Sequence, residues 1–537
     1  MRNLTFYNAN TAIHQLFDWG WTYKGVSINN CSIGLDMTSL NNGVQSVGSV
    51  VLIDSEINNT PIGIAISRDS TSTPATGGTL VLENVRLDNV KVAIQAPGGK
   101  TVLLGPSGAN TISGWAEGNV YLPNGPTAFQ GTFTPSSRPA ALTSGTDYYE
   151  RSKPQYETTL ASEFLSVRTA GAKGDGITDD SKVLIAAIAE ASSTGKILFF
   201  DAGYYLVTQT IYIPSGSRVV GESYPVILSS GSFFNDMSNP QPVVQVGKPG
   251  EKGTVEWSDM IVSTKGGQAG AILIQWNLDA SETTPAGAWD VHSRIGGFLG
   301  SDLQVSQCPK TPNTAITSSS QVPSQCIAAF LDMHITESAA GVYLENNWLW
   351  VADHDADDAD LTQISVYAGR GLLIESAVGK NWLYGTAVEH HTLYQYQLSN
   401  TVDTFLGFIQ TESPYYQPNP AAPLPFTSES AYSDPTFSAG SKQSAWGLRV
   451  VDSTSVLIYG AGHYSFFSDY DVTCSNQGAG ETCQKHIVDI ENSSLTIYGL
   501  NTVGTTEMIT LNGVDEAPAA SNDDGFVSTI AIFRATQ

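Results

Sequence analysis

The feature that most restricts the fold is a loose repeat of short apolar runs that each end on an acidic or amide residue. Gly48-Ser-Val-Val-Leu-Ile-Asp54-Ser55 is followed by Gly78-Thr-Leu-Val-Leu-Glu83-Asn84. The same shape returns as Gly341-Val-Tyr-Leu-Glu345-Asn346 and Gly371-Leu-Leu-Ile-Glu375-Ser376. The acidic positions lie 29 residues apart in the first pair (54 and 83) and 30 in the second (345 and 375). A strand, a polar turn and another strand every ~20–30 residues cannot bury an apolar face alone, so such units stack into a solenoid. A β-sandwich also spaces its strands at about 8–12 residues. The Asn and Ser recurring at the turns favour a right-handed parallel β-helix, in which those side chains ladder from rung to rung.

Residues 1–135 read as short strands separated by Asn, Gly and Ser, with no helical periodicity. Residues 136–165 are poor in apolar runs and rich in chain breakers, as in Arg-Ser-Lys-Pro, and read as an extended linker. Residues 166–537 form the second unit. It opens with Gly174-Asp175-Gly-Ile-Thr-Asp179-Asp180 and then Val183-Leu-Ile-Ala-Ala-Ile-Ala-Glu190, the one clear amphipathic helix. Three acids at a helix start are explained by capping and the helix dipole rather than by a metal.

Lys and Arg number 25 against 51 Asp and Glu, a net charge of -26. That balance excludes nucleic acid and an anionic membrane surface as partners and disfavours a polyanionic substrate. A neutral polymer fits better. Cys308 and Cys326 are close in sequence, as are Cys474 and Cys483, all in polar loop-like stretches. Two local disulfides and a buried Cys31 are expected, which fits secretion. Residues 1–25 hold neither a charged n-region nor an apolar h-region, so no signal peptide is read there, and the expectation is that the true start precedes Met1. No window reaches the ~18 apolar residues of a membrane span.

The chemistry gathers in Gly385–Pro418. Glu389 precedes His390 and His391, and Glu412 follows Gln410 and precedes Pro-Tyr415-Tyr416. Carboxylates beside flat aromatic rings suit a sugar-cleaving site, since rings stack on pyranose faces and a raised-pKa acid protonates the leaving oxygen. A glutamate packed against Pro414, Tyr415 and Tyr416 is expected to be partly desolvated, with its pKa raised. Upstream, Glu345-Asn-Asn-Trp-Leu-Trp-Val-Ala-Asp353-His354-Asp355 would occupy a neighbouring rung.

Together ENNWLWVADHD, EHH and QTESPYYQP resemble glycoside hydrolase family 55, the fungal-type exo-β-1,3-glucanases. RNLTF, DWGWT and VSINNC resemble that family's first β-helix already under way, and residues 166–190 resemble the helical cap of pectin-lyase-like β-helices. The resemblance spans essentially the whole chain. It implies an all-β fold of two right-handed parallel β-helix lobes side by side, the first incomplete at residue 1. It implies a monomeric, secreted enzyme that needs no cofactor or metal and removes glucose from the non-reducing end of β-1,3-glucan with inversion. Glu412 resembles the general acid, Glu389 a carboxylate behind the attacking water, and Tyr415 a ring on the sugar. Tyr416, Asp353, His354, Asp355, His390, His391 and Gln410 would line the pocket. The residues that hold the water would lie upstream of Met1.

Two other classes stay open on the residues alone. Asp353, Asp355, Asp357, Asp358 and Asp360 could bind calcium in a pectin-active enzyme. A non-catalytic carbohydrate-binding β-helix would use the aromatic residues without the acid.

Overall fold

The computed structural model describes residues 1–41, 44–68, 76–438, 442–475 and 481–536. Its strands pair mostly in parallel, and partners come from successive rungs, which makes two stacked β-helices. In the first stack Ser49–Asn58 lies in register against Thr79–Asp88, with Val50 beside Leu80 and Ile57 beside Leu87. A second sheet runs Thr11–His14, Ile33–Met37, Ile62–Ile66 and Val92–Ala96. Side chains alternate along each strand, so Val50, Leu52, Leu80 and Leu82 point into a core of their own. Each such side chain contributes about 1.5–3 kcal/mol by leaving water.

The second stack is larger. One sheet runs Glu256–Thr264, Ala286–Ile295, Trp348–Val351, Asn381–Glu389, Val402–Glu412, Thr454–Tyr464 and Leu495–Val503. The facing sheet has ten strands, from Ile211–Ile213 to Val514–Pro518. The helix Ser181–Thr194 packs Leu184, Ala187, Ile188 and Ala191 onto the start of this stack. Asp179 accepts hydrogen bonds from the Ser181 amide and hydroxyl, while Asp180 accepts from the amides of Lys173 and Gly174. The acids of that motif therefore serve the turn into the helix.

The rung pairing corrects part of the repeat. Asp54 and Asn84 are the stacked turn residues, both left-handed and joined by a 2.7 Å hydrogen bond, and Glu83 lies beside Ile53. Glu345 and Glu375 do not stack at all. Val342–Glu345 pairs with Asn381–Glu389, whereas Tyr367–Ile374 belongs to the facing sheet. A 30-residue spacing in sequence had matched strands of two different sheets.

A column of left-handed residues bends the long strands of the second stack at one level: Asp290, Asn346, Gly385, Phe408, Gly460 and Gly499. Before the bend, Trp289, Tyr343, Trp382, Tyr384, Phe405, Tyr459 and Tyr498 pack onto Val51, Ile53 and Val81 of the first stack. The approach is close: a Cβ on Gly460 would lie 2.2 Å from Thr22 Oγ1, and one on Gly499 would lie 2.8 Å from Val51 Cγ2. Beyond the bend the stacks still touch at Asn501–Ser49 and Trp19–Tyr464, while Trp348, two residues past Asn346, is exposed. Ser528–Ala535 further ties the stacks by pairing with Leu495–Val503 and, through Val120 and Ile532, with Asn110–Tyr121.

The stretch after residue 136 is extended and threads the seam. Arg138 binds Glu83 and Asp54, Tyr148 and Tyr459 share a 2.8 Å hydroxyl contact, and Lys153 reaches Asp259 and Asp290. Cys308–Cys326 and Cys474–Cys483 are disulfides, and Cys31 is a buried thiol.

Candidate active site

Two glutamates stand side by side because the rungs keep register. Glu389 ends Asn381–Glu389, Glu412 ends Val402–Glu412, and the two are direct partners. The same position is Trp350 on the preceding rung and Tyr464 on the following one. Parallel strands lie about 4.8 Å apart, so the carboxylates share one face of the groove. Two residues earlier, Trp348, Ala387, Gln410 and Gly462 make a second row on that face. Trp348 is 43% exposed, and its indole N–H donates to Glu389 Oε2 at 2.8 Å. Its ring stacks on Trp350 with centroids 5.2 Å apart.

Glu412 is the more open of the pair. Tyr415 donates its hydroxyl to Glu412 Oε2 at 3.0 Å, and His390 Nε2 lies 3.4 Å from the same oxygen. The Tyr415 ring is wedged between His390 and Phe467, at 4.8 and 3.9 Å between centroids. Across the groove Trp19 of the first stack meets Tyr464 edge-on at 4.9 Å.

Burial, and then the charge of Glu412, push the Glu389 carboxyl up to about 7, against hydrogen bonds from Trp348 and Gln410 that favour its ionised form. Burial alone would depress His390. The Glu412 hydrogen bond and the charges of Asp353, Glu412 and Glu389 outweigh it and bring His390 up to about 9. The ring also faces the Val351 carbonyl, 2.9 Å from Nδ1. Near neutral pH His390 is therefore cationic, and Glu389 stands close to the midpoint of its titration. Strongly shifted titrations of neighbouring groups are frequent at sites of proton transfer.

Of the residues expected at the site, Glu389, Glu412, Gln410, His390, Tyr415 and Asp353 come together. His354 joins them at the rim, with its Nδ1 2.9 Å from Asp353 Oδ2 and its ring against Trp350. Three others do not. Tyr416 is buried in the core of the second stack, bonded to Thr392 and packed on Tyr367, because the turn after Glu412 sends adjacent side chains to opposite sides. His391 is fully buried against Asp332 and Gln395. Asp355 is spent on Gln304 and on the amides of Val305 and Asp357. Asp357 and Asp358 likewise accept from the amides of Leu299 and Thr362, and no group of acids, histidines or cysteines among the described residues could hold a metal ion. Trp348 and Trp350 share one strand face, which favours the core for both, yet Trp348 is exposed and Trp350 buried. Only the place of Trp348 near the bend exposes it.

A cavity of about 840 Å³ lies away from the acid pair. It lies at the bend between the stacks, lined by Trp21, Lys24, Lys153, Trp289, Glu345 and Phe408 among others, and neither Glu389 nor Glu412 touches it. Cavity size here follows the separation of the two stacks. The register of the carboxylates and the position of His390 are better guides to chemistry.

Fold and site together define a pectate-lyase-like β-helix protein with a paired-carboxylate groove. The family described as rhamnogalacturonase A/epimerase, pectate lyase-like, matches residues 1–36 and 164–353. A glucan 1,3-beta-glucosidase of Cochliobolus carbonum is 47% identical over 99% of this chain and 66% of its own length. A probable glucan endo-1,3-beta-glucosidase of Arthroderma benhamiae is 38% identical over 99% of this chain and 70% of its own. The chain thus spans about two thirds of the length of these relatives. Among solved structures, sacteLam55A from Streptomyces sp. SirexAA-E is similar with a TM-score of 0.42 and 15% identity, covering 95% of this chain and 80% of that one. The chain belongs to glycoside hydrolase family 55.

Proposed function

We propose that this protein hydrolyses β-1,3-glucan, releasing glucose from the non-reducing end with inversion, and that Glu412 protonates the leaving oxygen. The observation that carries the reading is the Glu389–Glu412 register pair, beside the exposed Trp348 and the half-buried Tyr415. Family membership and the names of the two fungal relatives support the substrate. A net charge of -26 favours a neutral polymer, and two disulfides suit a secreted enzyme.

In this reading a terminal glucose enters the groove with its glycosidic oxygen on Glu412. The acid gives up its proton as the bond breaks, and the hydroxyl of Tyr415 and the cationic His390 stabilise the carboxylate left behind. Inversion needs a water on the opposite face of the sugar. Glu389 stands one strand from Glu412 on the same face, so that water must approach from the side of the first stack, where Trp19 closes on Tyr464. Glu389 then acts on the charge and proton content of Glu412 and helps orient the sugar. The loops next to the pair are cross-braced: Asn419 bonds to Ile316 and Thr314, Asp469 to Asn313, and Tyr470 to Ser365 and the Tyr415 carbonyl. We read these loops as the barrier that makes the action exo.

A second reading exchanges the roles. The rise of Glu389 to about 7 favours it as the proton donor. An aryl β-glucoside with a leaving group that needs no protonation separates the two. The acid's Gln variant loses glucan hydrolysis but keeps the aryl substrate, and the other variant loses both. Proton NMR of the first-formed anomer tests inversion, which predicts α-glucose. A product series of longer oligosaccharides would instead favour endo action.

A further inference from the structure

A buried carboxylate that the chemistry above does not use lies behind the acid pair. Asp332 is fully buried on Ile327–Ile335, flanked in sequence by Leu331 and Met333 of the aliphatic core. Placing a carboxylate there is unfavourable unless a specific partner needs it. Its partners are two. Ser293 donates its hydroxyl to Asp332 Oδ2 at 2.5 Å, and His391 Nε2 lies 3.1 Å from the same atom.

His391 is held from every side. Its other ring nitrogen is 3.2 Å from Gln395 Oε1, and its backbone N–H donates to that oxygen at 2.8 Å. The Gln395 amide donates back to the His391 carbonyl at 2.8 Å, which fixes the orientation of the amide. The residue so clamped directly follows His390. His390 has φ +70, a left-handed conformation that a side-chain-bearing residue keeps only when its surroundings impose it. That conformation lets the His390 backbone N–H reach the Glu412 carbonyl at 2.9 Å while its ring reaches the Glu412 carboxylate. On the far side of the turn Thr392 is pinned by Tyr416 and Gln417.

We propose that Asp332 is a positioning residue: through His391 it fixes the turn that aims His390 at Glu412. The inference rests on Glu412 being the reacting carboxyl, and its test is arranged so that either idea can fail alone. Three variants carry it: Asp332→Asn; Ser293→Ala, which removes one hydrogen bond to the same carboxylate; and His391→Gln, whose amide nitrogen stands near the place of Nε2. The first readout needs no catalysis. With ¹³C-histidine labelling, assigned by a His390→Gln variant, the pH titration of His390 is followed by NMR. Asp332→Asn shifts the His390 titration to lower pH as the ring loses its hold on Glu412. His391→Gln stays close to the parent, and Ser293→Ala falls between.

The second readout is glucan hydrolysis. Asp332→Asn lowers kcat between about tenfold and a hundredfold at nearly unchanged KM, the scale of loss that a small misplacement of a reacting group produces. An unchanged His390 titration in Asp332→Asn overturns the proposal, whatever the enzyme does. Lower thermal stability with the parent's titration also overturns it, since that is a structural role. A shifted titration in a parent that hydrolyses no glucan would sink the hydrolase reading and leave the positioning role standing.

Discussion

Replacing Glu389 by Gln should make the protein more stable in alkali and slower as a catalyst. In the fold this carboxyl rises from 4.5 to about 7, chiefly by burial and then by the charge of Glu412. Below pH 4.5 it is protonated both folded and unfolded and has no effect on stability. Between 4.5 and 7 the unfolded chain has released the proton while the folded chain retains it, so stability falls as pH rises through that window. Above pH 7 the full penalty applies. A rise of this size corresponds to about 3.5 kcal/mol at ~1.4 kcal/mol per pKa unit. Glutamine has the same shape, is never charged, and can still accept the Trp348 N–H. Glu389 also helps to raise His390, an attraction already contained in its own shift. Urea or thermal unfolding of parent and variant at pH 4, 6 and 8 should therefore show a stability difference near zero at pH 4 that grows in favour of the variant by pH 8. Equal destabilisation at all three values would refute the reasoning, because it would mean that the carboxylate is a favourable partner in the fold.

Removing the Tyr415 hydroxyl as Tyr415→Phe leaves the ring on Phe467 and His390 but takes a donor from Glu412. Hydrogen bonds to charged groups are worth about 1.5–3 kcal/mol, so kcat on glucan should fall at least tenfold with little change in thermal stability. The Cys308–Cys326 disulfide closes an 18-residue separation in the loop wall. Its removal as a double Ser variant should cost about 3 kcal/mol in unfolding experiments under non-reducing conditions. The same variant should also loosen the barrier beyond the acid pair, read as more oligosaccharide beside glucose in the product chromatogram.

The solenoid and the acid pair were legible in sequence for one reason. A stacked fold keeps equivalent positions in register, so Glu389 and Glu412, each at the end of an apolar run, had to land together. What was illegible lies where the chain turns. Tyr415 and Tyr416 are adjacent and chemically alike, and only the path after Glu412 sends one to the groove and the other to the core. His390 and His391 divide in the same way, one toward Glu412 and one toward Asp332. Asp332 itself sits mid-strand with no motif around it, 59 residues from its partner. In sequence the repeat that links Glu345 to Glu375 is as sound as the one that links Asp54 to Glu83, and the structure moves the second to Asp54 and Asn84 and dissolves the first. Which of two sheets a strand joins depends on the loops between, and spacing alone does not encode it.

The most direct test of the central claim is glucose release from linear β-1,3-glucan by this protein, beside Glu412→Gln at equal folded concentration. The account predicts steady release of glucose by the parent and a loss of at least a hundredfold in the variant, the range for removing a general acid. Comparable rates from the two proteins would contradict it.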